Sequence, residues 1–311
     1  MILNPAVSII IPLFNKEYFV SRAIDSILKQ SFTDFEVIVV DDGSTDDGPL
    51  IVKNYSDSRI RLITQSNKGP GAARNKGIME ARGQYVSFLD ADDEWATNFL
   101  EISIKTLQLH PDIMLTTSLY CIDHFENLWR GYRFLNLQEG CFEITKDYPP
   151  SKLEYLVGAL HAGGSLLCRK DVLIKYGGFY ENNCMYAEDQ FLLLQVVLNH
   201  KIYIINKILM IYHKENSGLA KYNMHRNLFK PVLREPDIIR KNCPMDKKEL
   251  LEDFLGITAL QECHNLFCKD TFSQILDSIK QFPSMKKNAM RYYILVIKIL
   301  LYRVGIFRRG G

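Results

Sequence analysis

The chain has 311 residues, enough for one large α/β domain with an appendage. Its 47% hydrophobic and 24% charged residues are the balance of a folded globular protein, which excludes disorder, collagen-like fibres and low-complexity arrays. A formal net charge of +2 gives no electrostatic footprint of a nucleic-acid binder.

The N-terminal segment, Met1-Ile-Leu-Asn-Pro5, lacks the charged region and cleavage site of a signal peptide. No run reaches the ~18 uncharged apolar residues of a spanning helix. Seven cysteines, at 121, 141, 168, 184, 243, 263 and 268, form no CxxC pair, so reduced thiols in a cytoplasmic protein are expected. Cys263, His264 and Cys268 lack the second ligand pair that a structural zinc needs.

Residues 7–12, 35–40, 59–64 and 84–89 are short, β-branched apolar runs. Near-continuous apolar runs predict strands covered on both faces, as in a parallel sheet. Phe19, Ala23 and Ile27, with Val20, Ile24 and Leu28, recur at helical spacing. Gly71 to Ala81 predicts a second helix. Strand, helix, strand at this spacing predicts right-handed βαβ units and an open α/β sheet.

Polar residues gather where these strands end, the place where open α/β sheets bind ligands. Asp41 and Asp42 follow one strand, Asp90, Asp92 and Asp93 another, and glycine-rich Asn67 to Asn75 a third. Each aspartate can also simply cap a turn. Such an acidic cluster calls for a cation, and a divalent metal carrying a diphosphate suits hard oxygen ligands. A calcium loop starting at Asp90 is excluded, because its sixth place is Trp95 rather than glycine. Gly69 to Arg74 is not a dinucleotide fingerprint, since Arg74 holds the third glycine place.

Four motifs occur in order: Val7-Ser-Ile-Ile-Ile-Pro-Leu-Phe-Asn15, Val39-Val-Asp-Asp-Gly-Ser-Thr-Asp46, Asn67-Lys-Gly-Pro-Gly-Ala-Ala-Arg-Asn75 and Phe88-Leu-Asp-Ala-Asp-Asp93. Together they closely resemble family 2 glycosyltransferases of GT-A fold. The resemblance continues through Gly177-Gly-Phe179 and Glu188-Asp189 and covers roughly residues 5–217. It implies an open, mostly parallel sheet flanked by helices, with a Rossmann-like nucleotide-binding half. The implied activity is inverting sugar transfer from a nucleotide donor, most often UDP-linked, to an acceptor hydroxyl. It further implies Mn²⁺ or Mg²⁺ as cofactor and a role in cell-envelope polysaccharide or glycan synthesis on a lipid carrier. A nucleotidyltransferase would want a basic glycine-rich loop where Pro12-Leu-Phe-Asn15 stands, and a non-catalytic nucleotide-sugar binder would not need Asp92 and Asp189.

By the same resemblance, Phe14 packs on the base, and Asp42, with Asp41 close behind, accepts hydrogen bonds from it. Arg74 contacts base or diphosphate. Asp90 points to the ribose and Asp92 to the metal, and Pro12, Asn15, Gly71 and Ala91 complete the donor site. Asp189 is the general base and Glu188 positions it or contacts the acceptor. By spacing alone these two acids would be dipole-complementing groups at a helix start. Two departures stand out. Tyr180 replaces the family's aspartate after Gly-Gly-Phe, which predicts a local packing change. His213, the candidate second metal ligand, lies one place early, with Lys214 in its usual slot and Asn216-Ser217 following.

Residues 1–217 are thus expected to form the catalytic domain and 218–311 a helical C-terminal extension. Leu250, Leu251, Phe254, Leu255 and Ile257 predict one amphipathic helix there. After Asp277 there are eight basic residues and no acidic one, while residues 1–277 carry 30 basic and 36 acidic groups, a net of −6. Residues 286–309 are apolar and basic. They predict either a helix packed on the protein or one lying on an anionic membrane, peripheral on the inner face of the cytoplasmic membrane.

Overall fold

The computed structural model describes residues 4–123, 128–161, 163–182, 184, 186–214, 229–265 and 272–303. The chain divides into two compact units, residues 1–144 with 155–219, and residues 145–154 with 220–311.

The first unit is built on a nine-stranded sheet. Its strands are β1 (Val7–Leu13), β2 (Phe35–Asp41), β3 (Ile60–Thr64), β4 (Tyr85–Phe88), β5 (Glu94–Trp95), β6 (Leu115–Ile122), β7 (Gly140–Phe142), β8 (Leu166–Arg169) and β9 (Ile202–Tyr212). The order is β3-β2-β1-β4-β8-β6-β9-β5, with β7 paired to β9. Strands β3, β2, β1 and β4 are parallel, as their unbroken apolar runs predict. Strand β8 then inserts antiparallel between β4 and β6, and β9 runs parallel to β6. Every residue of β2 is buried.

The helices along this part of the chain are α1 (Val20–Leu28), α2 (Gly48–Lys53), α3 (Pro70–Glu80), α4 (Phe99–Leu109), α5 (Arg130–Leu135), α6 (Pro150–Ala159), whose residues 150–154 belong to the second unit, α7 (Lys170–Lys175) and α8 (Glu188–Asn199). The apolar face of α1 buries Val20, Ala23, Ile24 and Ile27. Helix α3 lies unusually close to β1, because a Cβ on Gly77 would stand 2.4 Å from Ile10 Cγ2. Strand β1 has β2 on one side and β4 on the other, so the chain reverses its direction of growth there. The crevice beyond the carboxyl ends of β1, β2 and β4 is the switch point where such sheets take ligands. At the opposite end, buried Glu36 accepts from Ser8 Oγ (2.7 Å), the Arg82 amide (2.7 Å) and Arg61 (3.0 Å), a fully partnered carboxylate that ties three strands together.

The second unit is helical: α9 (Pro231–Arg234), α10 (Pro236–Asn242), α11 (Lys248–Asn265), α12 (Phe272–Gln281) and α13 (Ala289–Arg303). Leu250, Leu251, Phe254 and Leu255 are buried on α11, but Ile257 is not. Arg240 on α10 forks onto Glu252 of α11 at 2.7 and 2.9 Å. Helix α13 buries Leu295 and Ile299 and exposes Met290, Tyr293, Ile294, Ile297 and Leu300, a stripe at helical spacing. Two of the tail's cations are neutralised from upstream: Lys280 pairs with Asp277 (3.3 Å) and Lys287 with Asp253 (2.7 Å). Residues 304–309 of the apolar-basic run lie outside the described residues. Among the described residues, no helix is long and apolar enough to cross a membrane.

The close approach of α3 to β1 can be tested. Gly77→Val should lower stability by about 1–3 kcal/mol through overpacking against Ile10, measured as a shift in the urea midpoint. An unchanged midpoint would mean the helix can back away freely.

Candidate active site

The loop after β1 is fastened to the loop after β2. Asn15 adopts a left-handed φ of 53°, tolerable for asparagine. Its Oδ1 accepts the Thr45 amide (2.8 Å), and its own N–H donates to Ser44 Oγ (3.1 Å). Phe14, beside it, is 40% exposed. Pro12 is in register with Val40 inside the sheet. Asp41 accepts the Ser44 amide at 2.9 Å. Asp42 accepts from Gln65 Nε2 (2.8 Å), the Lys68 amide (2.9 Å) and the Gly69 amide (2.8 Å), fixing the loop that leads into α3. Both aspartates are buried and act as turn and loop clamps.

Helix α3 and the start of α8 are then locked together. A Cβ on Gly71 would lie 2.4 Å from the Tyr180 carbonyl oxygen, so only glycine permits this approach. Gly177 and Gly178, with φ of 79° and 76°, turn the chain after α7. The Asn75 side chain holds the next residue at both ends: its Oδ1 accepts the Phe179 amide (2.7 Å) and its Nδ2 donates to the Phe179 carbonyl (2.8 Å). Tyr180, which replaces the expected aspartate, is buried with its ring 5.1 Å from Phe191.

Arg74 is the centre of the result. Its buried guanidinium donates to Asp90 Oδ1 (2.7 Å) and to Glu188 Oε1 (2.6 Å) and sits 5.4 Å from the Phe179 ring centre. Burial alone would lower its pKa, but Asp90 and Glu188 outweigh burial and hold it above the usual arginine value. Asp189 follows Glu188 in the first turn of α8, its Oδ1 accepting the Gln190 amide (2.8 Å). Desolvation and the neighbouring Glu188 charge push the Asp189 carboxyl up to about 6, against the pull of Arg74.

Asp90, Ala91, Asp92 and Asp93 turn away from β4. Asp92 is nearly buried and ion-paired with Lys16, and Arg22 donates to its backbone carbonyl. Burial raises its pKa, with Lys16 opposing. Asp93 is fully buried; its Oδ1 accepts the His213 amide (2.9 Å), while its Oδ2 has no partner among the described residues. Desolvation, then Asp90 and Asp92, raise the Asp93 pKa well above the carboxylate range. The His213 ring faces Glu94 at 3.1 Å. Among the described residues, no three His, Cys, Asp or Glu side chains form a ready-made metal cage. Trp95, which excluded a calcium loop, is buried and donates to the Gly164 carbonyl at 2.5 Å.

Sequence reasoning therefore found Asp90, Asp92, Arg74, Glu188 and Asp189, which the fold brings to one crevice. It missed Lys16 and Glu94, whose only signal is charge beside a motif. It also missed His161, whose ring lies between Tyr120 (centroids 4.9 Å) and Tyr212 (5.4 Å). Its signal was a histidine just ahead of Gly163-Gly164 at a strand entry.

Residues 8–177 match the family described as Glycosyl transferase family 2. The Escherichia coli protein UDP-Glc:alpha-D-GlcNAc-diphosphoundecaprenol beta-1,3-glucosyltransferase WfgD is 30% identical over 238 residues, 75% of this chain and 85% of that protein. Other curated relatives, from Rickettsia and Bacillus, are spanned over only 17% to 33% of their own length. The fold matches S. aureus TarS 1-349 in complex with UDP-GlcNAc with a TM-score of 0.71 at 19% identity, over 98% of this chain and 93% of that one. It also matches the mannosyltransferase PcManGT from Pyrobaculum calidifontis in complex with GDP-Man and Mn²⁺, with a TM-score of 0.60 at 18% identity, over 96% of this chain and 88% of that one. With the motifs at the switch point of this sheet and the match running across more than half of its residues, the chain belongs to glycosyl transferase family 2.

Proposed function

We propose that the chain transfers a sugar, with inversion, from a UDP-linked donor to a hydroxyl of a lipid-carried glycan. The observation that carries this is the Arg74 fork, which joins Asp90, on the proposed donor side, to Glu188, the neighbour of the proposed base Asp189, through one buried cation. The lipid-linked acceptor and the UDP donor are supported by what WfgD is named for.

In the proposed reaction the acceptor oxygen attacks C1 of the sugar, Asp189 takes its proton, and the C1–O bond to the diphosphate breaks. A carboxyl raised to about 6 is matched to that task near neutral pH, because it is ionised yet still basic. Glu188 is held by Arg74 and orients its neighbour. Phe14 and the Asp41–Asp42 loop receive the nucleoside. The oxygen-only donors at Asp92, beside the orphaned Asp93 Oδ2, fit a hard divalent ion. Asp92 would hold it in exchange for Lys16, and His213 would join only on leaving Glu94. Such an ion, when bound, stabilises the charge on the leaving diphosphate. In the second unit, the exposed apolar stripe of α13, with Arg291 and Lys298 on the same helix, is proposed to rest on anionic lipid at the cytoplasmic membrane face.

Incubation with a panel of UDP-sugars and a diphosphate-lipid acceptor should give a product extended by one sugar with inverted anomeric configuration. No transfer from any donor would sink the proposal. Asp189→Asn should slow transfer at least about a hundredfold with UDP affinity unchanged. In the unaltered enzyme kcat/KM should climb as pH rises through about 6, since only the ionised base accepts the proton. A flat profile would move the base elsewhere.

Asp92→Asn should bind UDP in the presence of Mn²⁺ at least about tenfold more weakly by calorimetry; unchanged affinity would remove Asp92 from the site. For the tail, the full chain should float with anionic liposomes and lose that attachment in high salt. Ile297→Glu with Leu300→Glu, both at exposed positions, should abolish it. Equal flotation of both proteins would show that this face does not meet lipid.

A further inference from the structure

We propose that His161 reads a hydroxyl of the transferred sugar, bridging it to Asp90, and so helps to set donor-sugar preference. The inference rests on the donor reading above. His161 Nε2 is buried and has no hydrogen-bond partner among the described residues. Buried polar atoms are nearly always partnered, so an orphan beside the strand-end Asp90 points to a partner supplied by a ligand. The residue is also held at a left-handed φ of 27°, a conformation that persists only where surrounding structure imposes it.

The position of Nε2 is fixed by what surrounds it. A Cβ built on Gly163 would stand 2.9 Å from His161 Nε2 and 2.6 Å from Asp90 Oδ2. Both atoms therefore lie close to one point beside Gly163, near enough together for one oxygen to hydrogen-bond to both. The Asp90 amide donates to the Gly163 carbonyl (2.8 Å), so the strand end and the His161 turn are one rigid piece. Asp90 Oδ1 is committed to Arg74, which leaves Oδ2 for a ligand. Tyr120 and Tyr212 fix the ring plane.

The chemistry selects the occupant. Burial holds the imidazole pKa down at about 4, with Arg74 adding to the effect and Asp90 opposing it. The ring is neutral at working pH, a poor partner for a phosphate anion. An imidazole beside a carboxylate oxygen suits a hydroxyl, which donates to Asp90 and meets the imidazole through its oxygen. Asp90 belongs to the donor side of the crevice, where ribose and transferred sugar both carry hydroxyls; the hydroxyl at His161 is assigned to the sugar, and comparison with UDP, which keeps the ribose, separates the two.

The test is calorimetry on the full chain with Mn²⁺, comparing UDP with UDP-glucose and UDP-N-acetylglucosamine. His161→Phe preserves ring packing between the tyrosines and removes the polar atom. It should weaken the better sugar nucleotide about 5- to 20-fold relative to UDP, and His161→Gln should restore part of the difference. An unchanged ratio in His161→Phe overturns the inference. So does an equal loss for UDP, which would mean that the residue serves the nucleotide, the metal or the fold. A measurement on the unaltered chain guards against a misfolded variant: one monodeoxy donor analogue should bind about tenfold more weakly, and if none does, the inference falls. If the unaltered chain binds no nucleotide sugar at all, the donor reading fails and takes this inference with it. Binding with an unmoved ratio removes His161 alone.

Discussion

A single buried guanidinium compensates the acidic end of this sheet. Asp90, Glu188 and Asp189 converge at Arg74 from distant points in the chain, and like charges so placed in a low-dielectric crevice would force one another to protonate. Arg74 forks between the first two, leaving Asp189 shifted but still ionisable near neutrality. Breaking such a pair strands a buried charge and is strongly destabilising. The cation is thus a structural requirement before it is a functional one, and the approach of α8 to α3 depends on it.

Two buried carboxylates of the sheet, Glu36 and Asp93, are treated in opposite ways. At the amino ends of the strands, Glu36 is saturated by a hydroxyl, an amide and a guanidinium. At the carboxyl ends, Asp93 Oδ2 and His161 Nε2 are left without partners among the described residues. A fold tolerates unsatisfied polar atoms where a ligand can complete them.

The parallel half of the sheet was legible because buried parallel strands are written as unbroken apolar runs. Helices α1 and α3 were legible from apolar period and glycine-rich start. The acidic strand ends were visible, and a resemblance gave them roles. What the sequence did not disclose is what depends on long-range register. The antiparallel insertion of β8 places His161 beside Asp90, and no local pattern announces a strand inserted from 80 residues further on. Asp42 was legible as an aspartate at a strand end, but its three loop-fixing bonds come from residues 65–69, whose proximity only the βαβ crossover creates. The pairing of Lys280 and Lys287 with upstream acids likewise tempers the bare charge count of the tail.

Gly77 lies one helical turn beyond Arg74, on a helix whose entry is pinned by Asp42 at Gly69. Its missing side chain sets how far α3 can sink toward Ile10. Because a helix is stiff over three turns, that gap acts as the short arm of a lever whose other end carries the guanidinium. Raising the helix by the thickness of a methyl group would lift the arginine out of its fork with Asp90 and Glu188. Displacements of about 1 Å are enough to cost catalysis heavily. A residue that touches neither carboxylate therefore sets the depth of the buried guanidinium.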